Sequence, residues 1–213
     1  MDSYQIDTGT FNPRQKIGIM GGTFNPIHNG HLLIAENALC QYHLDRIYFI
    51  PTGLSPHKGE QEIIPANIRY EMIERAIYGN PGFAASSIEI DSTETSYTYL
   101  TLEKLTTLYP DNRFYFIMGG DSLRDFSGWR NPKRICELCH LLAAVRNNMD
   151  MDMLCHYADA IKQQFHGSID LLNTPNFSVS SHEIRERVRN HDSIRYLVPE
   201  EVRIYIEENQ LYQ

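Results

Sequence analysis

Eleven consecutive residues, GGTFNPIHNGH from Gly21 to His31, bring together two adjacent glycines, a Thr and two imidazoles three positions apart. Glycines let backbone approach a ligand closely. Leu32, Ala35 and Leu39 then fall on one face at helical period, which predicts a helix over His31–Gln41 with the histidines at its start. Helix-start amides and the helix dipole favour an anion there, and imidazoles can add hydrogen bonds to charge developing on a polyphosphate. The spacing is neither GxGxxG nor GxxxxGK[ST], so no dinucleotide fingerprint and no P-loop is present. Two plainer readings compete: an ordinary turn with exposed histidines, and a zinc site, for which no third ligand stands at a telling spacing.

Such a cradle must hang from a rigid frame. Apolar runs of strand length alternate with helical periods, the pattern of βαβ units in a parallel sheet, so the fold class is α/β, a Rossmann-like open parallel sheet flanked by helices. Strands are predicted at Lys16–Met20, Ile47–Ile50, Ala84–Ile90, Arg113–Met118 and Leu141–Val145. Helices are predicted at Pro65–Tyr78, Thr98–Tyr109, Ser181–Arg189 and Pro199–Glu208, with Leu171-Leu172 a short apolar pair between them. The C-terminal helices should pack on the sheet, giving one domain over 16–213 after a polar lead-in over 1–15. In open parallel sheets ligands sit beyond the carboxyl ends of the strands, so the turns after positions 20, 51 and 118 should converge.

Those turns are chemically unusual: PTGLSPHK from Pro51 to Lys58, IMGGDSL from Ile117 to Leu123 with Trp129 following, SYT at Ser96–Thr98, and SVSSHEIRERV from Ser178 to Val188. With the first turn's HNGH, this ordered set resembles the bacterial nicotinate mononucleotide adenylyltransferases, members of the HxGH nucleotidyltransferases. The resemblance runs from about Lys16 to the terminal EENQLY. It implies transfer of the adenylyl group of ATP to the phosphate of nicotinate mononucleotide, giving deamido-NAD and pyrophosphate. By motif it makes His28, His31 and Arg185 catalytic and gives ATP to Gly21, Gly22, Thr23, Gly119, Asp121, Ser180 and Ser181. Lys58, Thr98, Trp129 and Arg130 fall to the acceptor. Mg²⁺ would ride on the ATP phosphates, with no dedicated protein metal site. Asn25, Ser55 and His182 depart from the commonest family pattern, where Asp, Pro and Thr stand, and Asn argues against an essential base at position 25. The alternatives are an adenylyltransferase for another phosphate acceptor, such as nicotinamide mononucleotide or phosphopantetheine, and a non-catalytic nucleotide-binding module.

The 213 residues carry 19 Lys+Arg against 27 Asp+Glu, a formal charge of −8, so nucleic acid and anionic membranes are poor partners and anionic substrates must be held by local cations. Four irregularly spaced cysteines suit a reducing compartment, and MDSYQIDTGTFNPRQK has no signal-peptide core, so the cytoplasm is expected. Two further motifs have plainer readings. CELCH, Cys136 to His140, has the form of a c-type haem attachment, but its thiols suit a buried helix face. His191-Asp192 lacks the companions of a metal-dependent phosphohydrolase.

Overall fold

The computed structural model describes residues 12–54, 63–145, 151–175 and 177–213. Among them six strands form one sheet: β1 (Lys16–Gly22), β2 (Arg46–Pro51), β3 (Phe83–Ala85), β4 (Arg113–Gly119), β5 (His140–Ala144) and β6 (Ile169–Leu172). Every neighbouring pair is parallel, in the order β3-β2-β1-β4-β5-β6. The order reverses between β1 and β4, where the connections leave in opposite directions and a crevice opens beyond the carboxyl ends. The α/β expectation therefore holds.

Period-two alternation divides the apolar residues between two cores, one on each face of the sheet. Met20, Ile47, Phe49, Ile117 and Leu142 point to the first, with Ala35 and Ala38 of α1 (Asn29–Tyr42) and Met72 and Ile73 of α2 (Ala66–Ile77). Ile17, Ile19, Tyr48, Phe116 and Leu141 point to the second, with Leu102 and Leu105 of α3 (Thr98–Leu108). The second face continues with Leu123 of α4 (Gly120–Asp125), Ile135 of α5 (Pro132–Leu138) and Ile161 of α6 (Met151–Phe165). The C-terminal helices α7 (Ser181–Arg189) and α8 (Glu200–Glu208) close the first face through Ile184, Val202 and Ile206. Tyr205 of α8 donates to Glu71 of α2 at 2.8 Å, and Arg75 lies 4.5 Å over its ring.

The predicted strand Ala84–Ile90 is corrected: β3 ends at Ala85. The Ile88/Ile90 alternation mimics a strand, but Ser86 Oγ accepts from the Ile88 amide and Ser87 Oγ donates to Asp91 at 2.6 Å, so short polar side chains close a turn instead. The structure also adds β6 around Leu171-Leu172, and α6, whose buried Leu154, Ala158 and Ile161 recur at helical spacing between polar residues.

Gly18 is the close-packed point of β1. A Cβ there would lie 2.7 Å from Ile47 Cγ1, 3.0 Å from Leu44 Cδ1 and 3.2 Å from Ile117 Cδ1. Gly18→Ala should therefore cost ~1–3 kcal/mol of stability by overpacking, read from the urea midpoint at constant m-value. An unchanged midpoint would show that these three side chains yield freely.

Candidate active site

The connection from β1 to α1 is irregular yet buried: Phe24, Asn25, Ile27 and His28 are between 0% and 4% exposed. Backbone polar groups in such a segment need partners, and side chains from elsewhere supply them. Thr23 O accepts from Arg69 of α2 at 2.6 Å, Asn25 O from Arg185 of α7 at 2.9 Å, and Pro26 O from the Ser181 hydroxyl at 2.8 Å. The Asn25 side-chain oxygen accepts from the Tyr212 hydroxyl at 2.9 Å and from the Ile64 amide at 3.4 Å. Asn at this position thus serves as a structural acceptor.

His28 is the N-cap of α1 and its ring stacks on that of His31, centroids 3.7 Å apart. The His28 amide donates to His31 Nδ1 at 3.3 Å. An accepting Nδ1 carries no proton, so the neutral His31 ring holds its proton on Nε2 as a donor. Phe24 meets the His31 ring edge-on at 5.0 Å. Between the two histidines a Cβ on Gly30 would lie 3.0 Å from both His28 Nδ1 and Val179 Cγ1, so a larger residue would crowd the stacked ring and the segment that leads into α7.

His31 lines a cleft of about 200 Å³ at the carboxyl ends of β1 and β4, with Met20, Gly21, Ile34, Phe116, Gly119, Asp121 and Trp129 around it. The turns after positions 20 and 118 therefore converge as expected. The turn after position 51 reaches the same region through backbone, the Thr52 amide donating to Gly22 O at 2.9 Å. Trp129 is half-buried, packed on Phe126 and edge-on to Phe116 with one side on the cleft, so it is both a core aromatic and a wall. A Cβ on Gly119 would meet nothing within 4 Å, which leaves open space beside the backbone. Asp121 is exposed in the first turn of α4, whose cap is Gly119.

The other expected site residues are not part of the cleft lining. Arg185 and Ser181 bond to the carbonyls of Asn25 and Pro26 in the first turn, outside the cleft lining. Ser180, and not Ser181, caps α7, its Oγ accepting from the Glu183 amide at 3.1 Å. Thr98 is the first residue of α3 with Tyr97 as cap, and Arg130 is exposed beside Trp129. Gly22 ends β1 and Thr23 opens the turn, both outside the cleft lining. Lys58 and Ser55 lie outside the described residues. Among the described residues no group of three or more His, Cys, Asp or Glu could hold a metal ion.

The competing motifs resolve into structure. Cys139 Sγ donates to Ile135 O at 3.3 Å and burial pushes its thiol pKa far up, while burial raises Cys136 to about 11. Both are protonated at neutral pH and poor nucleophiles. His140 turns to Asp170 of β6 at 2.9 Å. His191 and Asp192 line a separate cleft of about 360 Å³ between α7 and α8, where Arg195 and Arg203 are already paired with Glu200.

Fold and cleft define an open parallel α/β sheet protein with a crevice at the point where its strand order reverses. The cytidylyltransferase-like family pattern matches residues 19–187, and the chain belongs to that family, in its nicotinate-nucleotide adenylyltransferase branch. A probable nicotinate-nucleotide adenylyltransferase of Lachnoclostridium phytofermentans is 44% identical over 93% of this chain and 99% of its own length. One from Desulfitobacterium hafniense is 40% identical over 94% and 97%. Among solved structures, the nicotinic acid mononucleotide adenylyltransferase of Plasmodium falciparum complexed with NaAD superimposes with a TM-score of 0.74 at 22% identity, covering 93% of this chain and 97% of that one. No helix among the described residues is long and apolar enough to cross a membrane.

Two outcomes follow from this geometry. His31→Ala, with the fold retained, should lower turnover on the order of 10²–10³-fold, the usual effect of losing one preorganised donor; a loss below tenfold would place the phosphates elsewhere. A Cys136→Ala, Cys139→Ala protein should keep wild-type KM for both substrates, since neither thiol is ionised or on the cleft. Stoichiometric metal or haem in the purified protein would reverse that.

Proposed function

We propose that the chain transfers the adenylyl group of ATP to the 5′-phosphate of nicotinate mononucleotide, releasing pyrophosphate and giving nicotinate adenine dinucleotide for NAD biosynthesis. Relatives at 40–44% identity over nearly the whole chain bear the name of this activity. The observation that carries the reading here is that His31 and Trp129 face one cleft at the strand-order reversal, a phosphate donor and a flat aromatic within reach of one dinucleotide.

An oxygen of the acceptor's 5′-phosphate attacks the α-phosphorus of ATP. The new P–O bond forms as the bond to the bridging oxygen breaks, and the electron pair leaves with pyrophosphate. Nucleophile and leaving group are already ionised, so positioning and charge stabilisation dominate over proton transfer. ATP enters as its magnesium complex, the ion carried on phosphate oxygens. His31 donates Nε2–H to the transferring phosphate, and His28 is stacked against it. Arg185, oriented by its bond to Asn25, holds the β- and γ-phosphates. Ser180 keeps its hydroxyl hydrogen for phosphate while its oxygen caps α7. Ser181 spends its hydrogen on Pro26 and contributes its backbone amide at the helix start. Gly21, Gly22 and Thr23 bring backbone close, and Gly119 and Asp121 take the adenosine, the carboxylate accepting from ribose hydroxyls. Trp129 stacks the pyridine ring; Thr98, the backbone beside Arg130 and Lys58 complete the acceptor side. Four free cysteines fit a cytoplasmic enzyme.

Donors alone suit a carboxylate, whereas an amide turns its own NH₂ toward one of them and leaves donor facing donor, at on the order of 1–3 kcal/mol. The acid should therefore be preferred over nicotinamide mononucleotide by at least about tenfold in kcat/KM, which takes about 1.4 kcal/mol. Pyrophosphate release measured with ATP and each acceptor decides it. Equal efficiencies would remove the acid assignment and leave adenylyl transfer standing, whereas release with phosphopantetheine alone would replace the acceptor altogether.

A further inference from the structure

A guanidinium withdrawn from water is costly unless its donors are met. Arg69 is 2% exposed. Among the described residues its hydrogen bonds all go to backbone carbonyls: Nη1 to Thr23 at 2.6 Å, Nη2 to Thr52 at 2.6 Å, and Nε to Ile64 at 3.0 Å. Thr23 lies in the turn that carries His28 and His31. Thr52 and Ile64 stand at the two ends of the connection from β2 to α2.

The grip on Thr52 is passed onward. The next residue, Gly53, donates its amide to Ser96 Oγ at 3.0 Å, and the Ser96 amide donates to Leu54 O at 2.9 Å, two residues before Thr98 opens α3. A Cβ on Gly53 would sit 2.2 Å from the Glu89 carbonyl oxygen, so the three segments touch with no room between them. The Glu89 side chain ties the same segment to α3, accepting from Thr101 at 2.6 Å.

We propose that Arg69 is a positioning residue for adenylyl transfer, its fork setting the distance between the turn that holds the ATP phosphates and the segments that hold the acceptor. The inference rests on the activity proposed above. An in-line displacement is sensitive to that distance, since a misplacement of about 1 Å can cost on the order of 10²-fold in rate. A planar fork reaches three carbonyls from one fixed plane, whereas the ammonium of Lys is a single point on a flexible stem.

The test uses the whole chain with Arg69→Lys and Arg69→Met. Ile161→Ala, in the core on the other face of the sheet, is a destabilised control. Steady-state kinetics with each substrate varied, equilibrium binding of a non-hydrolysable ATP analogue, and melting temperature are read together. Both Arg69 variants should raise KM for nicotinate mononucleotide about tenfold and lower kcat about tenfold, with binding of the ATP analogue within about threefold of wild type. The Ile161 variant should lose melting temperature while keeping both KM values. A loss in the Arg69 variants fully accounted for by a smaller folded fraction, at unaltered KM, would make Arg69 a fold-stabilising residue only and overturn the proposal; so would full activity of Arg69→Lys. An inactive wild-type protein would instead overturn the adenylyl-transfer reading itself.

Discussion

The site depends on one constraint: a buried, irregular turn whose carbonyls cannot be left bare. Between β1 and α1 the chain runs through the interior without a ladder or helix to satisfy it. Successive carbonyls at Thr23, Asn25 and Pro26 point to three different donors, one on α2 and two on α7. The cost of an unmet buried carbonyl, ~1–3 kcal/mol each, is what makes those helices take up one arrangement. Two of the side chains that secure the turn, Arg69 and Arg185, are cations, and positive charge is also what phosphate requires.

That economy explains how an acidic protein handles two multiply charged anions. The net charge of −8 repels them at long range, but at ordinary ionic strength exposed charges are screened beyond roughly 10 Å. Many Arg and Glu residues away from the cleft are occupied with one another, as in Arg134 with Glu103 and Glu137 or Arg203 with Glu200 and Glu207. Around the first turn the polar partners are instead histidine, arginine, hydroxyls and amides, and Asn25 adds no charge there.

The parallel sheet, its switch point and most of the cleft wall were legible in the sequence, because strand-length apolar runs, GG turns and imidazoles at fixed spacing are local signals. Ser181–Arg189 matches α7 residue for residue because its cap and its amphipathic period agree. The β3 strand was overextended because Ile88 and Ile90 alternate like a strand while Ser and Asp side chains two to four residues apart dictate a turn. Arg69 was invisible for a different reason: in ANIRYEMIERAI it resembles any solvent-facing helix arginine, and only the tertiary fold shows that three carbonyls of two connections close over it. Gly30 could have been read, since a glycine inside the first turn of a helix weakens it and is retained for close packing.

The cleft is assembled from both cores. Met20, Ile34 and Ile117 belong to the packing unit on one face of the sheet; Phe116, Met118 and Trp129 belong to the unit on the other. A dinucleotide bound in the crevice, as proposed above, would act as a cross-tie between the two faces, in addition to the sheet and the Gly53–Ser96 contact. Occupancy adds the free energy of binding to the resistance of both faces to local opening, so amide protons on helices that never touch the ligand become slower to exchange.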